Sequence, residues 1–185
     1  SALVNLGVMM HEAARDEEAI KYCRQALEID TEIALADPQD REKQWSMAQG
    51  HAWLSDAMKG TWAFSAAMQE RQKELSIYAA MLSIDERDAR AREGKAVALL
   101  QTASLNIVAG QNALAEAAAR SGLAEIELLL GEDPDNRLWQ DMAVSATNQY
   151  VEALMAVGKW NEAQQYNQLA VARSEALVKA DPTVM

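Results

Sequence analysis

The stretch VGKWNEAQQYNQLAVARSEALVKADP, residues 157–182, holds an uninterrupted run of helix-forming residues between a glycine and an Asp-Pro pair. Alanine, leucine, glutamate, glutamine and arginine favour a helix, and the run contains no interior proline. Gly158 is typical of a turn that ends one helix, and Asp181-Pro182 is typical of the start of another. The stretch therefore predicts one long helix, at about residues 160–180.

The two marks that bound this helix recur along the chain at a fixed distance. The acidic breaks begin at Asp37, Asp85, Asp133 and Asp181, and the differences 85 − 37, 133 − 85 and 181 − 133 are each 48. Turn-forming glycines lie near the middle of the intervals between them: Gly60, Gly110 and Gly158. A period of this size indicates a repeat architecture in which each unit is one supersecondary motif.

Each repeat unit is predicted to be a helical hairpin. The aspartate of each acidic break is expected to cap and start a helix, and each glycine is expected to end one in the left-handed conformation. The eight predicted helices span about residues 2–13, 17–35, 38–58, 62–83, 86–108, 112–131, 134–156 and 160–180. The short linkers make successive helices antiparallel neighbours, so the sequence predicts an all-α protein.

The first unit carries a family resemblance in Leu3-x2-Leu6-Gly7-x2-Met10, followed by Ala19-x3-Cys23. It resembles the tetratricopeptide repeat (TPR), whose pattern is W-x2-L-G-x2-Y and then A-x3-F. The last unit is similar in its second half, where Gly158-Lys159-Trp160-Asn161-Glu162-Ala163 stands. The resemblance implies a right-handed α-solenoid of about four antiparallel hairpins in a single domain over residues 1–185. Its units would span about 1–36, 37–84, 85–132 and 133–180.

The period is longer than that of the family. A tetratricopeptide unit has about 34 residues, and the period of 48 exceeds that by two sevens. Seven residues are close to two helical turns, so adding them rotates the buried stripe of a helix by only ~20°. We therefore expect each helix to be longer by about a heptad, with its buried face unchanged.

Net charge, apolar content and cysteine content reduce the number of functional classes to which the protein can belong. The formal charge of −11 and the pI near 4.6 disfavour binding to nucleic acid or to an anionic membrane surface. No apolar run is long enough to predict membrane insertion. The single cysteine, Cys23, excludes an internal disulfide and fits a reducing compartment, so a cytoplasmic location is expected. The segment is expected to be part of a larger protein, such as a bacterial-type multidomain regulator.

Residues that could carry chemistry do not form a catalytic pattern. His11 and His51 lack a second ligand at metal-binding spacing, Cys23 lacks an identified histidine partner, and no phosphate-binding loop is present. We therefore predict no enzyme activity, no metal and no cofactor. Cys23 is expected to be a small buried apolar residue, and the tryptophans are expected to be packing residues, with Trp45 the best candidate for exposure.

The resemblance implies that the first helix of each hairpin lines a concave groove that binds a segment of a protein or peptide partner. Transferring the register of the family to this sequence places the following residues on this face: Val8, His11, Leu54, Ser104, Ile107, Asn148, Glu152 and Met155. The leading hypothesis is thus a protein-interaction scaffold. Two alternatives stay open: a regulatory domain that binds a small ligand near Met47, Trp53 and Met58, and a structural module that forms a homodimer through its terminal hairpins.

Overall fold

A computed structural model describes residues 2–180 of the chain, and all regular structure within them is α-helical. The helices are α1 (Ala2–Glu12), α2 (Asp16–Ala36), α3 (Arg41–Gly60), α4 (Phe64–Ile84), α5 (Ala89–Val108), α6 (Asn112–Glu132), α7 (Arg137–Ala156) and α8 (Trp160–Ala180). Each predicted helix is confirmed within four residues at either end. Short turns join successive helices, so the described chain is a series of helical hairpins.

The repeat is more regular in the structure than in the sequence. Helices α2, α4, α6 and α8 each have 21 residues, and α3, α5 and α7 each have 20. Corresponding helices begin 48 residues apart, as in 64 − 16, 112 − 64 and 160 − 112. Helices α2 to α8 are thus long and recur at a period of 48 residues, as expected, whereas α1 has 11 residues. That the buried faces match those of the shorter family repeat remains a prediction.

The turn inside each hairpin uses the same hydrogen bond. The backbone N–H of one residue donates to the carbonyl of the residue five positions earlier, which ends a helix in the Schellman motif. These six-to-one bonds are Arg15 to Met10 at 2.8 Å, Ala63 to Met58 at 3.0 Å, Gln111 to Asn106 at 2.8 Å and Lys159 to Leu154 at 2.9 Å. Donors and acceptors both repeat at intervals of 48.

One residue of each turn is left-handed, and its identity corrects one prediction. The positive φ values belong to Ala14 (56°), Trp62 (64°), Gly110 (72°) and Gly158 (79°). The prediction holds for the last two residues but is wrong for Gly60, which lies inside α3. A close neighbour explains this glycine instead, because a Cβ there would overlap the Asp16 carboxylate.

The acidic breaks do not cap the helices that follow them. Asp37 is the C-terminal cap of α2, and its carbonyl accepts a bond of 3.1 Å from the N–H of Asp40. The Asp40 side chain then accepts from two N–H groups of the first turn of α3. The Asn136 side chain caps α7 by accepting from one N–H group, that of Trp139, and Asp88 accepts from the N–H of Ala91 in α5. The caps thus lie three residues later than predicted, because a turn intervenes. Asp181 lies outside the described residues.

By its internal contacts the chain divides into two compact units, Ser1–Ala91 and Arg92–Met185. In the first unit, Ala19 and Ala67 are fully buried in the first turns of α2 and α4. Gly7 of α1 approaches α2 so closely that a Cβ would lie 2.7 Å from Cys23 Sγ. Cys23 is itself buried, as predicted, and burial raises the pKa of its thiol to about 11.

The second unit has a continuous apolar core. Alanines let α5, α6 and α7 approach closely, and larger residues fill the spaces between them. The buried members of this core are Ala96, Leu100, Ala103, Ala119, Leu123, Ile126, Ala143, Ala146, Tyr150, Ala153, Leu154 and Ala163. Tyr150 packs edge-on against Tyr166 of α8, with ring centroids 4.7 Å apart. The second unit is thus stabilised by packing between all four of its helices.

The turn geometry predicts opposite effects for two glycine-to-alanine changes. Gly110→Ala places a side chain at a φ of 72° with no contact to offset the strain, and should reduce the free energy of unfolding by about 1 kcal/mol. Gly131→Ala, in α6 and equally free of contacts, should increase it by about 0.5 kcal/mol. Urea titration of both variants measures the difference. Equal effects of the two changes would contradict the assigned turn.

Candidate partner-binding groove

Helices α5 and α7 of the second unit border an open pocket of about 290 Å³. From α7, Asp141, Ser145 and Gln149 are spaced four residues apart and so lie along one face. Ile126 of α6 is fully buried and lies beneath them. The remaining lining residues are Val97, Leu100, Gln101 and Met142. The pocket therefore has an apolar floor and a polar stripe along one side.

The charge at the pocket is acidic. The Asp141 side chain is 56% exposed, and its nearest base is Arg137, whose Nε lies 3.8 Å away. Arg137 also donates to the Leu177 carbonyl at 3.0 Å. On α5, Arg92 and Lys95 both contact Glu125, each at 2.6 Å. These cations are thus held by groups of the chain itself, and none of them lines the pocket.

Gln149 presents an unsatisfied acceptor. Its Oε1 is buried, and no hydrogen-bond donor from residues 2–180 reaches it. A buried acceptor left without a partner costs about 1–3 kcal/mol. A donor supplied by a bound molecule would recover part of that free energy. Gln149 lines the pocket, so a rotation of its side chain would present this oxygen to a donor in the pocket.

Four predicted groove residues lie further along α5 and α7, on the sides of these helices that border the pocket. A fifth packs beneath them. Ser104 lies one turn beyond Gln101 on α5 and is half-buried. Asn148, Glu152 and Met155 of α7 are exposed. Ile107 packs against the core of the second unit. Whether a partner contacts these residues remains a prediction, but three of them are accessible.

The predicted groove residues of the first unit are less available. Val8 is half-buried, and His11 Nδ1 lies 2.6 Å from an oxygen of Asp16. Leu54 is only 3% exposed and belongs to the core, so it cannot line an open groove without a rearrangement. Its position on α3 turns toward the neighbouring helices rather than outward. Leu54 is therefore not part of the exposed groove surface.

The tryptophans correct a second expectation. Trp62 and Trp160, predicted to pack, are 78% and 62% exposed. Trp62 contacts Phe64 edge-on at 5.7 Å, but it occupies the left-handed turn position and points outward. Trp45 is half-buried, with the Arg90 guanidinium 3.8 Å from its ring centroid. The three residues of the alternative ligand pocket differ in exposure, since Met58 is buried whereas Met47 and Trp53 are half-buried.

The last helix has an incompletely covered face. Val171 of α8 is 49% exposed, although Leu123 at the corresponding position of α6 is buried. Val178 is similarly exposed, at 47%. The expected homodimer through terminal hairpins remains a prediction.

Sequence reasoning missed a buried polar cluster between α3 and α4. Arg71 of α4 is 2% exposed and contacts Asp56 at 2.5 Å and Glu74 at 2.6 Å. Gln49 donates to the buried Tyr78 hydroxyl at 2.9 Å, and burial raises the pKa of Tyr78 to about 12. The signal was available in the repeat, because Arg71 occupies the position of the buried Cys23, 48 residues earlier.

A second contact in this region joins His51 to Glu70. His51 Nδ1 lies 2.7 Å from a Glu70 oxygen, and Lys73 contacts the other oxygen at 2.8 Å. Burial lowers the pKa of His51, although Glu70 opposes that effect. Among residues 2–180, no group of three His, Cys, Asp or Glu side chains is arranged to bind a metal ion. The cluster can stabilise the hairpin by internal ion pairing.

The fold is similar to that of two crystal structures of TPR-like repeats. One contains the nearly identical TPR-like repeats of a protein from Podosopora anserina designated a kinesin light chain. It has a TM-score of 0.51 and 15% identity, over 97% of this chain and 95% of that chain. A substituted form of the same repeats has a TM-score of 0.50 and 14% identity, over 98% and 95%. No protein-family profile and no curated protein sequence matches this chain.

The structural likeness confirms the predicted TPR-like helical repeat fold. Identities of 14% and 15% support a shared fold and nothing more specific. None of the helices in residues 2–180 has the length and apolar character needed to cross a membrane.

The polar cluster predicts a pH dependence of stability. Burial raises the pKa of Glu74 from 4.5 to about 7, against the opposing effect of Arg71. Between these values the folded state binds the proton and the unfolded state does not, so the free energy of unfolding falls as pH rises. The contribution should be on the order of 1–3 kcal/mol across the window.

Urea titrations of the native chain and Glu74→Gln from pH 4.5 to 7.5 measure this contribution as the difference between the two curves. The difference should fall as pH rises. Glu175→Gln, which removes an exposed carboxylate from α8, should leave the pH dependence unchanged. Parallel curves for the native chain and Glu74→Gln would show that Glu74 has an ordinary pKa.

Proposed function

We propose that the chain is a protein-interaction scaffold and that it binds a segment of a partner protein along the groove between α5 and α7. The pocket between these helices carries the proposal, because it is open and lined by side chains from both of them. The TPR-like fold supports it, since stacked helical hairpins present extended binding surfaces.

The two faces of α7 support this assignment. One face supplies Ala143, Ala146, Tyr150 and Leu154 to the core of the second unit. The opposite face carries Ser145, Asn148, Glu152 and Met155, all of them exposed. Because the core needs only the first face, the second is free to vary with the partner. Exposed residues beside a pocket are thus the part of the helix available for recognition.

The pocket fits a peptide side chain better than a separate small molecule. Its volume of about 290 Å³ lies at the lower limit of the range of about 300–1,000 Å³ that is usual for small-molecule sites. Much of its boundary is open, so it cannot enclose a ligand on its own. A partner segment that also contacts the neighbouring helical faces would gain additional buried area. The arrangement is typical of recognition of a continuous segment.

Site-specific photocrosslinking tests the proposal. A benzophenone amino acid placed at Ser145, beside the pocket, should form discrete adducts with proteins in a lysate of the source cells. The same probe at Ser121, an exposed serine of α6, is the matched control. The Asn148→Ala, Glu152→Ala and Met155→Ala changes, combined in the Ser145 probe chain, should reduce adduct yield without loss of helix content. Equal adducts at the two positions, or none at Ser145, would refute groove binding.

A further inference from the structure

The apolar part of the α5–α7 pocket limits which side chain it accepts, and this inference rests on the proposed function. Val97 and Leu100 from α5 face Met142 from α7, with Ile126 beneath them. Aliphatic groups on several sides favour an aliphatic side chain, whose burial contributes roughly 1.5–3 kcal/mol. Within the described chain, none of the lining residues is aromatic. The pocket is therefore suited to one Leu, Ile, Met or Val side chain.

The charge around the pocket favours a particular type of residue next to the aliphatic residue in the ligand. Among residues 2–180, Asp141 is the only charged residue that lines the pocket. Glu152 follows 11 residues later on α7, which corresponds to about 16 Å along the helix. The nearby bases Arg92 and Lys95 already contact Glu125. Arg137 only partly offsets the charge of Asp141, because its Nε lies 3.8 Å away and both side chains are exposed. An acidic ligand would therefore be repelled here, whereas a basic ligand would meet two carboxylates along one direction.

The buried Gln149 Oε1 adds a requirement for a hydrogen-bond donor. An extended peptide backbone presents N–H groups at regular intervals while its side chains alternate between faces. Such a chain can direct one side chain into the pocket while a backbone N–H approaches this acceptor. A helical ligand has its interior N–H groups occupied and lacks this option.

We propose that the α5–α7 groove binds an extended peptide segment in which an aliphatic residue lies beside Lys or Arg. The aliphatic side chain enters the pocket between Val97 and Met142. The ammonium or guanidinium group pairs with Asp141. The Gln149 side chain rotates toward the groove, and a backbone N–H of the segment donates to its Oε1.

A random peptide library displayed on phage provides an unbiased test. The 185-residue chain is used for selection, and the Ser145→Arg variant, which fills the groove with a cation, is used for depletion. The enriched sequences should pair Leu, Ile, Met or Val with Lys or Arg and should be poor in Asp and Glu. Enrichment of acidic or proline-rich sequences, or no enrichment over the variant, overturns the proposal.

A synthetic peptide from the most enriched sequence then tests individual contacts by fluorescence anisotropy. Asp141→Asn should weaken binding roughly threefold, as expected for an exposed ion pair. Glu175→Gln removes the same charge from α8 and should leave affinity unchanged. Equal weakening by the two variants would mean that net charge, and not Asp141, attracts the peptide, and this would overturn the proposed contact.

Gln149→Met separates binding from stability. Methionine matches the size of glutamine but has no amide oxygen, so removing the unsatisfied acceptor should leave the free energy of unfolding unchanged or higher. Affinity for the peptide should nevertheless fall severalfold. A loss of both stability and affinity would indicate a structural role for Gln149 and would contradict the assigned hydrogen bond.

The two proposals fail in different ways. Crosslinks at Ser145 together with acidic selected peptides would preserve groove binding and reject the aliphatic-basic ligand. Absence of crosslinks at Ser145 would reject groove binding of a cellular partner, whatever the library selects.

Discussion

The six-to-one hydrogen bond that ends the first helix of each hairpin fixes the phase of the chain. It recurs at Met10, Met58, Asn106 and Leu154, and the next helix starts six residues after each acceptor. The fourth residue of each of these helices is an alanine that is buried in the hairpin interior. These residues are Ala19, Ala67, Ala115 and Ala163. A small side chain there lets the paired helices approach closely. The hydrogen-bonded turn and the alanine contact between paired helices together define the repeating unit.

A fixed phase also separates residues that must pack from residues that can vary. The buried positions near the turns are small in every unit, whereas Gln49, Val97 and Ser145 occupy one equivalent position with three different side chains. Val97 and Ser145 both line the α5–α7 pocket, while Gln49 contacts Tyr78 in the first unit. The same scaffold position can thus stabilise a hairpin in one unit and face an open groove in another.

Local rules explain what the sequence could predict. The helices follow from composition, and Gly110 and Gly158 follow from the preference of left-handed turns for glycine. The role of Trp62 could not be read from its residue type, because the period and not the side chain places it in the turn. The Arg71 cluster depends on Asp56, 15 residues away on another helix, and the pocket depends on the separation of α5 and α7. Such through-space relations leave little trace in one sequence.

The 48-residue phase, and not the location of glycines, sets where each hairpin turns. Backbone NMR chemical shifts and the coupling between HN and Hα of Gly60 and Trp62 test this most directly. We expect helical backbone angles at Gly60 and a positive φ at Trp62, matching Gly110 and Gly158. A positive φ at Gly60 with a helical or extended Trp62 would contradict it, because the second turn would then lie out of phase with the other three.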